Sequence, residues 1–104
     1  MNRTLRNAIL NLKDGEGLTL KNGNIINYKS GWQVATEGKT TGQPLLAYAL
    51  AKGYNGTCGI WLENGVYYVD KCHRVNTKKE ALEVGRAHQQ ISVYGWKRGN
   101  LAYC

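Results

Sequence analysis

The sequence of 104 residues has no phenylalanine, and no apolar run in it approaches the length that spans a membrane. Its aromatic volume comes from Trp32, Trp61, Trp96 and seven tyrosines, whose polar groups favour positions half in and half out of a core. No signal-peptide hydrophobic region follows the first residues, which predicts that the protein stays in the cytoplasm of the cell that makes it. With 42% apolar and 20% charged residues, the chain is predicted to form a single domain over residues 1–104.

Motifs for catalysis and metal binding are also missing. The sequence contains no GxSxG, P-loop or HExxH motif, and its seven carboxylates form no obvious acid–base pair. The three cysteines lack the CxxC spacing of structural zinc sites. An odd number of cysteines without an export signal is typical of reduced thiols. We therefore predict a non-catalytic protein without metal or cofactor.

The charge of the chain is strongly one-sided. Fourteen Lys and Arg residues oppose seven Asp and Glu residues, which gives a net charge of +7 and a pI of about 9.5. Such a field favours anionic partners, namely nucleic acid, a nucleoprotein or an acidic protein surface. A charge of this size can also serve solubility alone, and the sequence leaves both interpretations open.

Turn and capping signals predict the secondary structure. Asn22-Gly23 and Asn64-Gly65 lie between apolar runs and are typical of type I′ hairpin turns. The segment Thr77-Lys78-Lys79-Glu80 is a capping box, which starts a helix at Lys78. The predicted helices cover residues 3–13, 44–53 and 78–89. The predicted strands cover residues 17–21, 24–28, 32–36, 91–94 and 101–103, together with the hairpin of residues 57–75.

These elements predict an α+β fold with an antiparallel sheet of about five to seven strands built from hairpins. Two or three helices are expected to pack mainly on one face of that sheet. Residues 17–36 are predicted to form a three-stranded meander, and residues 37–43 a polar loop. Gly53 is expected to cap the second helix. The predicted buried face of the meander consists of Leu18, Leu20, Ile25 and Val34.

The hairpin of residues 57–75 contains the residues that most resemble a chemical site. Its two-residue loop sets a register in which Trp61 faces Tyr68 and side chains alternate between two faces. Cys58 and Cys72 then point to opposite faces, which argues against a disulfide and against a shared zinc ion. The face predicted to be buried carries Ile60, Leu62, Tyr67 and Val69.

Trp61 and Tyr68 form a candidate binding face on the other side of the hairpin. They can stiffen the sheet as a cross-strand pair, or they can serve as a stacking platform or a protein-docking surface. Glu63 and Asp70 share this face and would repel phosphate. Among the functional interpretations, a protein interface is therefore favoured.

A basic cluster surrounds the start of the third predicted helix and consists of Lys71, Arg74, Lys78 and Lys79. Free backbone N–H groups and two lysines at a helix start can bind a phosphate or carboxylate group. The alternative is an ordinary solvated face. We treat these four residues as the second candidate binding site.

Residues 65–96, GVYYVDKCHRVNTKKEALEVGRAHQQISVYGW, carry the pattern V-x-T-x-x-E-A-L-x-x-G-R-x-x-x-Q between two strands. This segment resembles small accessory proteins encoded by phages and prophages. Proteins of that origin include anti-CRISPR and other anti-defence inhibitors, which usually act by binding. The resemblance covers about a third of the chain, and no functional residue is carried over from it.

The resulting hypothesis is a small non-catalytic binding protein of phage or mobile-element type. It would inhibit a host defence protein or nucleoprotein complex in the bacterial cytoplasm through its basic surface. One alternative is a basic accessory or regulatory protein that binds DNA or RNA, and another is a small enzyme or ligand-sequestering protein with an unrecognised pocket. No membrane partner is expected, and the chain is predicted to be a monomer or a homodimer.

Overall fold

The computed structural model describes the backbone of residues 3–104 and the side chains from residue 4 onward. Within these residues the protein has an α+β fold with three helices and one seven-stranded antiparallel sheet. The fold class predicted from the sequence is therefore confirmed. The elements are α1 (Arg3–Leu10), β1 (Gly17–Lys21), β2 (Asn24–Ile25), β3 (Trp32–Thr41), α2 (Pro44–Gly53), β4 (Thr57–Glu63), β5 (Val66–Val75), α3 (Lys78–Ala87), β6 (Ser92–Gly95) and β7 (Asn100–Tyr103).

The strand order in the sheet is β2-β1-β4-β5-β3-β6-β7. Both predicted Asn-Gly turns are present, because the two residues of each turn have positive φ, as a type I′ turn requires. The φ angles are 50° and 82° at Asn22 and Gly23, and 51° and 77° at Asn64 and Gly65. These local turns fix the β1–β2 and β4–β5 hairpins.

The predicted capping box starts α3. The Glu80 backbone N–H donates to Thr77 Oγ1 at 3.2 Å, and Thr77 Oγ1 donates to the Glu80 carboxylate at 3.1 Å. The helix ends at Ala87, two residues before its predicted end at Gln89, which adopts a left-handed φ of 57°. In α2, Pro44 is the first helical residue as predicted, but Gly53 is still helical and Tyr54 is the C-cap residue. The prediction of a Gly53 cap was therefore wrong.

The predicted meander of residues 17–36 was wrong, since β3 lies between β5 and β6 and is not a neighbour of β2. β2 ends at Ile25, although the Ile26 N–H still donates to the Thr19 C=O of β1 at 2.9 Å. The backbone carbonyls of Ser30 and Gly31 bond elsewhere. Gly31 C=O accepts from the Trp96 N–H at 3.0 Å, and Ser30 C=O accepts from Arg74 Nε at 3.0 Å. Long-range partners therefore replace the expected hairpin bonds. Ile25 is consequently exposed, contrary to its predicted burial.

Two further element boundaries differ from prediction by three residues or more, and β6 and β7 differ by one residue. β3 continues through Thr41, so most of the predicted loop of residues 37–43 is strand. α1 ends at Leu10, three residues before its predicted end. No helix among residues 3–104 is long and apolar enough to cross a membrane.

The chain forms two compact units, each made of two chain segments. Unit 1 comprises Met1–Ile26 and Gly38–Lys71, and unit 2 comprises Asn27–Glu37 and Cys72–Cys104. In unit 1, α1 and α2 share one core with the apolar face predicted for the hairpin. That core contains Leu5, Ile9, Leu20, Ala47, Tyr48, Ala51, Cys58, Ile60, Leu62, Tyr67 and Val69.

Unit 2 has a smaller core in which Ala81 of α3 packs against the sheet residues Val34 and Val93. Close approach of α3 depends on Gly85, because a Cβ there would lie 2.7 Å from Cys104 Sγ and 3.2 Å from a Val93 methyl carbon. The sequence pattern of small residues in this helix thus corresponds to tight packing on the sheet.

Candidate functional site

Trp61 and Tyr68 lie on the exposed face of the β4–β5 hairpin in unit 1, as predicted. Their side chains are 43% and 40% exposed, whereas Ile60 and Leu62 of the same strand are buried. The Trp61 ring packs over Gly17, its register partner on β1, where a Cβ would lie 2.8 Å from the ring. Because Gly17 has no side chain, it makes room for the indole against the backbone of β1. One side of the ring is therefore supported and much of the remainder faces solvent.

Carboxylates are part of the same exposed face. The Trp61 indole Nε1 donates to Glu63 Oε2 at 3.2 Å, which fixes the ring orientation. Burial raises the pKa of Asp70 above its ordinary value. Gly38 lies against this carboxyl group, and a Cβ at residue 38 would overlap it. A face with two carboxylates suits a protein partner better than a phosphate backbone.

The four residues of the predicted basic cluster have different environments. Lys71 belongs to unit 1 and is half-buried, whereas the other three belong to unit 2. Lys78 and Lys79 are both exposed in the first turn of α3. Arg74, in contrast, is engaged by neighbouring groups of unit 2. Its Nε and Nη2 donate to the carbonyl and hydroxyl oxygens of Ser30 at 3.0 and 3.2 Å, and Nη1 donates to Asn76 Oδ1 at 3.1 Å.

Arg74 also belongs to a cluster that the sequence reasoning missed, formed by Tyr28, Arg74, Tyr94 and Trp96. We call it the aromatic–arginine cluster. The Arg74 guanidinium carbon lies 5.4 Å from the centre of the Tyr28 ring, within cation–π range. Trp96 meets Tyr28 and Tyr94 edge to face, with centroid distances of 5.5 and 5.0 Å. Arg74 is thus a structural part of this cluster.

Exposed cations flank the aromatic–arginine cluster. Lys29 follows Tyr28 directly, and Lys97 and Arg98 follow Trp96, so chain connectivity alone keeps them beside the rings. An aromatic residue followed by a lysine occurs in both Tyr28-Lys29 and Trp96-Lys97, but this local pattern does not show that the two segments meet. The Trp96 indole N–H is buried without a hydrogen-bond partner among the described groups.

All three cysteines are free thiols. Cys58 and Cys72 are buried free thiols, and Cys104 is an exposed one. In the part of the chain that the structure describes, no three His, Cys, Asp or Glu residues lie close enough together to hold a metal ion.

Comparison with protein-family models, with curated proteins and with solved structures found no match for this chain.

Proposed function

We propose that the protein is a small non-catalytic binding protein that inhibits a host defence complex. The target class follows from the resemblance of residues 65–96 to phage and prophage accessory proteins. The observation that carries the binding mode is the exposed pair Trp61 and Tyr68 beside the carboxylates Glu63 and Asp70. The basic surface would contact an acidic or nucleic-acid-bearing region of the complex. Lys78 and Lys79, both exposed, are the residues of that surface best placed to do so.

The aromatic pair has the properties of an interface anchor. Trp and Tyr are enriched among the residues that contribute most to protein–protein binding. The two rings stand on a hairpin whose opposite face is buried, so binding would order little that is not already ordered. A preorganised platform of this kind loses little conformational entropy when a partner covers it.

Substitution of the pair tests this proposal. Trp61→Ala with Tyr68→Ala is expected to raise the dissociation constant for the target by about 30-fold or more, since a hot-spot truncation costs about 2 kcal/mol. Leu45→Ala with Leu46→Ala is the matched control, because both leucines are about half exposed on α2 of the same unit.

Two readouts check the expectation: recovery of an identified defence complex from the natural host, and phage plating on a host that carries that defence. The aromatic variant should lose both, while the leucine control retains both. Equal activity of the two variants would remove the aromatic pair from the binding surface.

A second function, direct binding of single-stranded nucleic acid, is supported by the aromatic–arginine cluster and its cations Lys29, Lys97 and Arg98. Aromatic rings beside cations hold single strands without strict sequence readout. The carboxylate of β3 in this unit, Glu37, is four residues beyond Gln33, which faces Tyr94. Glu37 is therefore about 13 Å from Tyr94 along the strand, which is farther than the Debye length of about 8 Å at physiological salt. Its repulsion of a phosphate at the cluster would be largely screened.

Salt dependence separates the two functions. If nucleic acid is the ligand, a fluorescent single-stranded oligonucleotide should bind with a steep salt dependence. The triple substitution Lys29→Glu, Lys97→Glu and Arg98→Glu should make the slope of log K against log salt shallower by about 2. Arg86→Glu, at an exposed position on α3, provides a charge-reversal control elsewhere in unit 2. Weak oligonucleotide binding with a shallow slope would instead favour the protein target.

A further inference from the structure

β7 lies at one edge of the sheet, and the phase of its ladder leaves backbone groups without a strand partner. The β6–β7 register pairs Val93 with Ala102, and the Cys104 N–H donates to Ile91 C=O at 2.9 Å. Hydrogen-bonded and non-hydrogen-bonded pairs alternate in an antiparallel ladder. Because Cys104 is hydrogen-bonded to Ile91, Ala102, two residues earlier, is also hydrogen-bonded to β6. Leu101 and Tyr103 therefore direct their N–H and C=O groups away from β6. β7 is last in the order, so no strand of residues 3–104 covers that side.

The side chains at this edge are apolar and exposed. Leu101 is 48% exposed and Tyr103 71% exposed. Natural sheets usually protect an open edge with charged residues, proline, a bulge or a very short strand. The opposite edge follows that rule, because β2 has only two residues. β7 has four residues and contains neither a charge nor a proline.

We propose that β7 pairs antiparallel with β7 of a second copy of this chain, across a two-fold axis at Ala102. In this register Leu101 faces Tyr103 of the second copy. All four outward groups of Leu101 and Tyr103 then find partners, which gives four intermolecular backbone bonds across the pair of strands. A register with Leu101 opposite Leu101 would place Tyr103 opposite Gly99, which lies in the turn before β7 with a φ of 63°. The exposed leucine and tyrosine side chains cover each other as cross-strand neighbours on one face.

The same register keeps the positive charges of the two copies apart. The two Asn100 residues, each two positions from the axis, are about 13 Å apart along the strands. Arg98 precedes Asn100 in the loop before β7, so the two arginines are at least that far apart. This exceeds the Debye length of about 8 Å at physiological salt, and their repulsion is largely screened. The paired segment itself is uncharged. Because four residues a side form a small interface, the dimer should be weak, with dissociation in the micromolar range or above.

Molecular mass measured against concentration, from micromolar to near-millimolar, tests the proposal on the full chain. The wild type should shift from monomer to dimer. Leu101→Pro removes an outward N–H and no bond to β6, so it is tolerated by an edge strand. It takes away two of the four intermolecular bonds, and the dissociation constant should rise about 30-fold. A thermal melt close to that of the wild type verifies that this variant is folded.

Cysteine cross-linking tests the register. Asn100 faces Cys104 of the second copy as a non-hydrogen-bonded pair, with Cα atoms about 4.5 Å apart, which is within disulfide range. Asn100→Cys should therefore form a covalent dimer under mild oxidation. In the matched control Leu101→Cys, the new thiol is on the other face and should not cross-link. In the wild type, the two Cys104 residues are about 13 Å apart and should remain reduced.

Three results would overturn the proposal: a wild type that stays monomeric at near-millimolar concentration, a dimer unaffected by Leu101→Pro, or equal cross-linking of the two cysteine variants.

Discussion

Gly31→Ala is the substitution that tests most directly whether Arg74 is a structural residue. Gly31 has a φ of 87°, and a Cβ there would lie 2.7 Å from the Arg74 guanidinium carbon. The left-handed backbone alone costs a non-glycine residue about 1–2 kcal/mol. The guanidinium would also have to move by about 1 Å to restore a normal contact distance.

The second part of the cost comes from the contacts of Arg74. Displacement weakens two hydrogen bonds to Ser30 and the cation–π contact with Tyr28. At about 0.5–1 kcal/mol for each of these three half-exposed contacts, the loss is about 1.5–3 kcal/mol. Gly31→Ala should therefore lower the free energy of unfolding by about 2.5–5 kcal/mol in the wild type. In an Arg74→Ala background it should cost only the backbone part, about 1–2 kcal/mol.

Urea denaturation followed by tryptophan fluorescence measures all four corners of this double-mutant cycle. Gly56→Ala is the matched control, because Gly56 has a φ of 83° and no atom within 4 Å of its missing Cβ. Its cost should not depend on Arg74. If Gly31→Ala costs the same with and without Arg74, the guanidinium does not lie against Gly31. Arg74 would then be a candidate for binding an anionic partner, as the sequence predicted.

Three further substitutions test the fold. Thr77→Ala should lower the free energy of unfolding by about 1 kcal/mol through loss of the cap, while Thr77→Ser retains most of it in the same denaturation assay. Burial raises the pKa of Asp70 above its ordinary 3.8, so native Asp70 binds its proton at higher pH than the unfolded chain does. The wild type should therefore lose stability relative to Asp70→Asn as pH rises from below 3.8 through the raised pKa, and a pH-independent difference would contradict this cause. Gly85→Ala should cost less stability when Cys104→Ala first removes the nearby sulfur, although the close approach to the Val93 methyl carbon remains, and additive effects would refute the sulfur contact.

Local signals in the sequence predicted much of this structure. The two Asn-Gly turns and the Thr77–Glu80 capping box depend on interactions within four residues, and all three are present. The alternation of buried and exposed side chains in β4 and β5 follows from the two-residue loop between them, so the exposure of Trp61 and Tyr68 was predictable. The turns and the helix cap are decided by neighbouring residues, whereas the buried face of the hairpin is completed by α1 and α2.

The position of β3 was not predictable in this way. Ser30-Gly31 has the composition of a tight turn, and a hairpin with β2 was the expectation. The residues that replace that hairpin, Arg74 and Trp96, are 44 and 65 positions away from Ser30 and Gly31 respectively. Nothing in the local pattern specifies such distant partners. The same long-range contacts create the aromatic–arginine cluster. The wrong position predicted for β3 and the failure to predict the cluster therefore have the same cause.

The engagement of Arg74 leaves Lys78 and Lys79 as the clearest exposed part of the predicted basic cluster, and their position allows function to be separated from stability. Lysine in the first turn of a helix opposes the helix dipole, whereas glutamate there is favourable by about 0.3–1 kcal/mol. Replacing both lysines with glutamate should therefore stabilise the fold by about 1 kcal/mol at low salt, after a few tenths are lost to repulsion between residue 79 and Glu83. If these lysines bind an anionic partner, the same variant should bind less tightly while it unfolds at higher denaturant concentration. A variant that is more stable but binds less tightly cannot owe its weaker binding to a folding defect. A variant that is more stable and binds with unchanged affinity would show that the two lysines form only a solvated face.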